Sequence, residues 1–167
     1  MSAMPAQRPS TSVQAVGTPK VFLDAVRRRF HIADFSVDLA ADDTNAVCGT
    51  YLTEAVNALS PEVLWRIYCG ARGWGWLNPP FSDIGPWVEK AWAESRLGAR
   101  LMVLVPAATD THWWHDHVRG KAYIIYIKGR FAFVGHNQSY PKGLALLVYA
   151  PFLNGGDTVW EWARDRR

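Results

Sequence analysis

The run Leu101-Met102-Val103-Leu104-Val105, inside ARLMVLVPA, constrains this chain more than any other segment. Five apolar residues in a row, without alternation, describe a strand buried on both faces, as at the centre of a parallel sheet. The flanking segments alternate in the way such a sheet requires. TPKVFLDAVRRRF opens with Thr18 as N-cap and Pro19 at the first helical position. Val21, Phe22, Ala25, Val26 and Phe30 then follow helical spacing. FSVDLAADD predicts a short strand from Phe35 to Leu39. LTEAVNALSPEVLWRIY predicts a short helix over 53–59 and another from Ser60, with Pro61 at its start. RGWGWL predicts a strand that ends in Asn-Pro-Pro-Phe. SDIGPWVEKAWAESRLG predicts a helix that starts from Ser82, Asp83 and Pro86 and stops at Gly98. Trp87, Val88, Ala91 and Trp92 form its expected buried face; Glu89, Lys90, Glu94 and Arg96 form its wet face.

Beyond the apolar run, TDTHWWHDHV reads as a helix, and KAYIIYIKGRFAFVG as two strands around Lys128-Gly129-Arg130. GLALLVYAPF is one more strand, and WEWARDRR is a closing helix or tail. Alternation followed by an antiparallel C-terminal end predicts an α/β fold with a small, doubly wound sheet. In such sheets the ligand crevice lies at the carboxyl ends of the strands, where both DLAAD and NPPF fall.

Length and composition fit one domain. The chain has 167 residues, 49% apolar and 20% charged, enough to bury a core. Residues 1–16 are rich in Ser, Ala, Pro and Gln and are expected to form a disordered tail, with the domain over 17–167. Cys48 and Cys69 lie apart without a CxxC, so neither a disulfide framework nor a zinc site is expected. No apolar run reaches the roughly 20 residues that span a bilayer, and a soluble, cytoplasmic protein is expected. A net charge of +3 permits a nucleic-acid partner without selecting one.

The chemistry concentrates at Asn78-Pro79-Pro80-Phe81. Proline cannot donate to a sheet ladder and restricts the residue before it to extended backbone. The chain therefore leaves its strand in a fixed shape. The Asn78 amide oxygen and the Pro79 carbonyl can accept the two hydrogens of a planar amino group and aim its lone pair. Phe81 offers a ring on which a base can stack once flipped from a duplex.

Other segments carry two readings each. In HWWHDH, His112, His115 and Asp116 have helical spacing for a metal, but neither cysteine clusters with them; no metal is expected, and Trp113 and Trp114 read as core and crevice wall. Arg27, Arg28 and Arg29 form either a solvated helix face or a phosphate contact. The polar segment 129–143 is either a solvated hairpin loop or a DNA reader. In the second case Asn137 and Gln138 would read adenine in the major groove, with Arg130 and Lys142 on phosphates.

Five segments together resemble the phage DNA adenine-N6 methyltransferases of the Dam type: TPKVFLDAV, VDLAADDTNAVCGTYLTEAVNAL, WLNPPFSDIGPWVEKA, LVPAATDTHWWH and IKGRFAFVG. The likeness covers about residues 17–152. It implies a Rossmann-like fold that takes S-adenosylmethionine as cofactor and double-stranded DNA, with the target base flipped, as substrate. Asn78, Pro79, Pro80 and Phe81 match the catalytic motif. Thr18, Pro19, Asp38, Ala40 and Asn78 match cofactor-binding positions, Asp38 as the acid that meets the methionine part. The resemblance suggests GATC as target and the host cytoplasm as setting. The alternatives are cytosine-N4, RNA or protein-glutamine methylation, or an inactive DNA-binding module. One departure stands out: the usual glycine-rich FxGxG loop is replaced by DLAAD, and alanine lacks glycine's access to positive φ.

Overall fold

A computed structural model describes residues 17–166. The expected tail over residues 1–16 lies outside the described residues. The elements in chain order are α1 (Lys20–Phe30), β1 (Val37–Asp38), α2 (Trp65–Cys69), β2 (Gly75–Leu77), α3 (Gly85–Arg96), β3 (Leu101–Pro106), α4 (His112–His117), β4 (Tyr123–Ile127), β5 (Leu144–Tyr149) and β6 (Asp157–Trp160). Six strands form one mixed sheet in the order β1-β2-β3-β5-β4-β6. β1, β2 and β3 run parallel, and β5 pairs antiparallel with both β3 and β4. β6 closes the far edge parallel to β4.

The apolar run is β3, and all six of its residues are buried, as are all six of β5. Their register runs from Leu101 opposite Tyr149 to Pro106 opposite Leu144. Alternate side chains enter opposite cores. Leu77, Leu101, Val103, Val105 and Leu147 meet Trp65, Val88, Ala91 and Trp114 beneath α2, α3 and α4. Trp76, Met102, Leu104, Leu146 and Val148 meet Phe22, Ala25 and Val26 of α1, together with Trp160 and Trp162. Each fully buried side chain of this size contributes about 1.5–3 kcal/mol, so both helical layers are required.

Several boundaries differ from the sequence reading. α1 starts one residue later: Pro19 is its N-cap, with extended backbone, and no side chain caps the helix. Thr18 is instead buried just outside it. The strand expected from Phe35 to Leu39 is only Val37–Asp38. The helix expected over 53–59 is a single 3₁₀ turn, Glu54–Val56. The next one begins at Trp65 rather than Ser60, because the Ser60 hydroxyl accepts the Glu62 N–H at 3.3 Å and holds a turn there.

The two strands expected around Lys128-Gly129-Arg130 are one strand only. Phe131 and Phe133 are buried, as their alternation suggests, but their rings pack on other rings in place of a ladder. The last strand of the sheet is instead β6, parallel to β4, in a stretch the sequence reading assigns to no strand. Glu94 is not on a wet face: it is buried and its carboxylate accepts the Arg66 backbone N–H at 3.1 Å.

Candidate active site

β1 and β2 end side by side. Asp38 lies opposite Trp76, and Asn78 follows Leu77 at the end of β2. Beyond these carboxyl ends lies a cavity of about 560 Å³. Thr18, Asp38, Ala40, Asn78 and Pro80 all line it, so the structure brings five of the sequence-predicted residues to one site. Pro19 does not line it, being the cap of α1, and neither do Pro79, which is buried, or Phe81.

Asp38 is 3% exposed. Its two oxygens accept the backbone N–H groups of Ala40 at 3.3 Å and Val47 at 3.1 Å. Burial outweighs those bonds and pushes its pKa up to about 6. The DLAAD turn needs no glycine. Among the described residues, positive φ outside glycine occurs only at His31 and Asn57, so Ala40 and Ala41 stand in conformations open to any residue.

The cavity wall holds residues that the sequence reading passed over. Trp76, Trp87, Asn45 and Asn57 line it as well. Asn57 has φ 51°, a left-handed conformation that asparagine tolerates better than most residues. Asn45 is fixed by a reciprocal turn: its side-chain oxygen accepts the Asp42 N–H at 2.8 Å, and Asp42 accepts the Asn45 N–H at 3.2 Å. The D-D-T-N sequence carries that turn signal. Two residues of the wall carry a buried polar atom with no hydrogen-bond partner among the described residues, the Thr18 hydroxyl and the Trp76 indole N–H. Buried polar groups are nearly always satisfied, so this wall is suited to a polar ligand.

Phe81 is half-buried. Its ring meets Phe133 at 5.8 Å and Tyr140 at 5.6 Å, both edge-on. Both partners belong to the 128–143 segment. That segment also reaches the cavity's first residue, with the Val134 N–H donating to the Gly17 carbonyl at 2.9 Å. Arg130, Asn137, Gln138 and Lys142 are exposed along it and do not line the cavity.

The remaining candidates have structural partners. His115 Nε2 lies 2.9 Å from the Thr109 carbonyl oxygen, and Trp114 is buried. Among the described residues, no three His, Cys, Asp or Glu side chains converge as a metal site. Arg27 pairs with Asp24 and Asp34, and Arg29 stacks over Trp160. No helix among the described residues is long and apolar enough to cross a membrane.

Fold and site together define an α/β protein with a mixed six-stranded sheet and a cavity at the ends of its parallel strands, beside the Asn-Pro-Pro-Phe segment. The chain belongs to the DNA N-6-adenine-methyltransferase (Dam) family, whose model matches residues 8–152. It is 28% identical over 116 residues to a DNA N-6-adenine-methyltransferase of Escherichia phage T1, covering 66% of this chain and 43% of that protein. It is 30% identical over 115 residues to a protein of the same name from Haemophilus phage HP1 (strain HP1c1), covering 64% of this chain and 62% of that protein. These matches therefore span less than two thirds of either relative.

Proposed function

We propose that this protein transfers a methyl group from S-adenosylmethionine to the exocyclic N6 amine of adenine in double-stranded DNA. The observation that carries the reading is the placement of Asn78 and Asp38 at neighbouring strand ends on one cavity, in a chain of the Dam family. The cavity suits the cofactor in size, since small-molecule sites run from about 300 to 1,000 Å³. It suits it chemically as well. Asp38 offers a buried carboxylate for the amino-acid ammonium. The Thr18 hydroxyl and Trp76 N–H, without partners among the described residues, offer a donor–acceptor and a donor. When bound, S-adenosylmethionine supplies a methyl group on a positively charged sulfur.

The chain's own residues present the amine. An adenine amine is a poor nucleophile because its lone pair is delocalised into the ring. Asn78 Oδ1 and the Pro79 carbonyl accept its two hydrogens, draw the nitrogen toward tetrahedral geometry and direct its lone pair at the methyl. Pro79 and Pro80 hold those acceptors with little reorganisation, because proline fixes φ. Phe81 stacks the flipped base. Arg130 and Lys142 hold phosphates while Asn137 and Gln138 read base edges. We place this reaction in the cytoplasm, that of the bacterial host if the chain is phage-encoded.

The test is direct. Purified protein is incubated with S-adenosylmethionine and unmethylated bacterial DNA, and the nucleosides are resolved by mass spectrometry. N6-methyladenine is the expected product. Asn78→Ala should cut turnover by about 10²–10³, the scale of losing one positioned hydrogen-bonding group, with a far smaller loss of cofactor affinity. N4-methylcytosine, or no methylated base at all, would redirect the assignment to cytosine, to RNA or protein glutamine, or to a module without catalysis.

A further inference from the structure

The rings around Phe81 belong to the segment that carries the candidate DNA-reading side chains. Phe81, Phe133 and Tyr140 form a closed triangle: the third side, Phe133 to Tyr140, is 5.6 Å and edge-on. Phe133 is anchored from behind. Its ring meets Phe131 at 5.4 Å, and Phe131 meets Phe22 of α1 at 4.7 Å. Phe133 is thus core. Tyr140 is different: it is half-buried, its backbone N–H donates to the Phe131 carbonyl at 3.1 Å, and it directly follows the exposed stretch 134–139. One face of the Phe81 ring environment is therefore fixed by the core, and the other hangs from the tip that carries Asn137 and Gln138.

We infer that Tyr140 is a positioning residue that ties recognition of the DNA sequence to the orientation of the Phe81 ring. The inference rests on the methyltransferase reading above. Edge-to-face pairs have a preferred ring geometry, so a shift of Tyr140 reorients Phe81. When the tip docks against the correct base pairs, Tyr140 is held and Phe81 presents its face to the flipped base. When the tip docks poorly, the ring is free to turn and the base is not retained. Sequence choice then appears in turnover as well as in DNA affinity.

The experiment is a double-mutant cycle on the full chain, with single-turnover methylation of DNA, DNA affinity and S-adenosylmethionine affinity read in parallel. The variants are Phe81→Leu, Tyr140→Leu, Tyr140→Phe and the Phe81→Leu/Tyr140→Leu pair. Tyr140→Leu should slow methyl transfer about tenfold, the scale of two lost ring contacts, with S-adenosylmethionine affinity unchanged. Tyr140→Phe should restore the rate, because the ring and not the hydroxyl acts. The pair should be no slower than Phe81→Leu alone, because Tyr140 acts through Phe81. Additive losses in the pair, failure of Tyr140→Phe to rescue, an unchanged rate in Tyr140→Leu, or a parallel loss of cofactor affinity would each overturn the inference. Those outcomes require an active wild type; an inactive wild type overturns the methyltransferase reading, and the coupling with it.

Discussion

Asp38 shows how a single residue can prepare a site. Its carboxylate is buried at the end of β1, and the groups acting on it are two backbone N–H donors, with no cation among them. Burial raises its pKa from an ordinary 3.8 to about 6. The sign follows from proton linkage. Between those two values the folded state holds a proton that the unfolded chain has released, so stability from this group is full below about 3.8 and is lost as pH rises through about 6. At neutral pH the ionised carboxylate then costs the fold about 3 kcal/mol, an order-of-magnitude figure from one residue. A bound ammonium offsets that cost. Affinity for S-adenosylmethionine should therefore rise with pH up to about 6, falling about tenfold per unit on the acid side, and stay level until the ligand's own ammonium begins to lose its proton towards about pH 8. Calorimetric titrations at pH 5, 6, 7 and 8 read this directly. Asp38→Asn should bind weakly at every pH, with the slope gone. A flat profile in the wild type would mean that Asp38 does not meet the ammonium.

At the scale of elements, the sequence was legible where local signals and burial agree. The Gly85–Arg96 helix has Pro86 in its first turn and Gly98 beyond its end, and β3 has its unbroken apolar run. It was misleading where side chains take over the work of the backbone. Phe131 and Phe133 alternate like strand residues, yet their burial comes from a ring cluster. Glu94 looks like a solvent-facing charge, but a partner 28 residues away, Arg66, draws it inward. Asn78 and Asp38 were legible because the turn and the strand end that carry them are local. Asn57 and Trp87 were not, since only the fold brings them to the same cavity. The 128–143 segment gives the prediction at this scale. Asn137→Ala with Gln138→Ala should relax sequence choice and leave cofactor binding intact. Arg130→Ala with Lys142→Ala should weaken all DNA alike and lower the salt dependence by about two phosphate contacts. Methylation mapping across a genome checks the first pair, and binding isotherms over a salt series check the second. Unchanged sequence preference in the first pair would remove this segment as the reader.

For the whole molecule, the consequence of the mixed sheet is that one cavity joins segments far apart in the chain: Thr18 before α1, Asp38 at the end of β1, Asn57 in the long connection and Asn78 after β2. A ligand that spans them braces the fold as a unit. S-adenosylmethionine at a hundred times its dissociation constant should add about 2.7 kcal/mol, raising the melting temperature by roughly 5–10 °C for a domain of this size. Methionine or adenosine alone should do less, since each reaches fewer of these segments. Thr18 makes the argument sharper, because its buried hydroxyl has no partner among the described residues. Thr18→Val removes a polar group that costs about 1–3 kcal/mol when unsatisfied. The ligand-free variant should therefore melt at or above the wild-type temperature, while the rise on adding S-adenosylmethionine should shrink. Scanning calorimetry with and without S-adenosylmethionine measures both quantities in one series. A variant that melts lower when empty but keeps the full ligand-induced rise would show that the hydroxyl serves the fold and not the ligand.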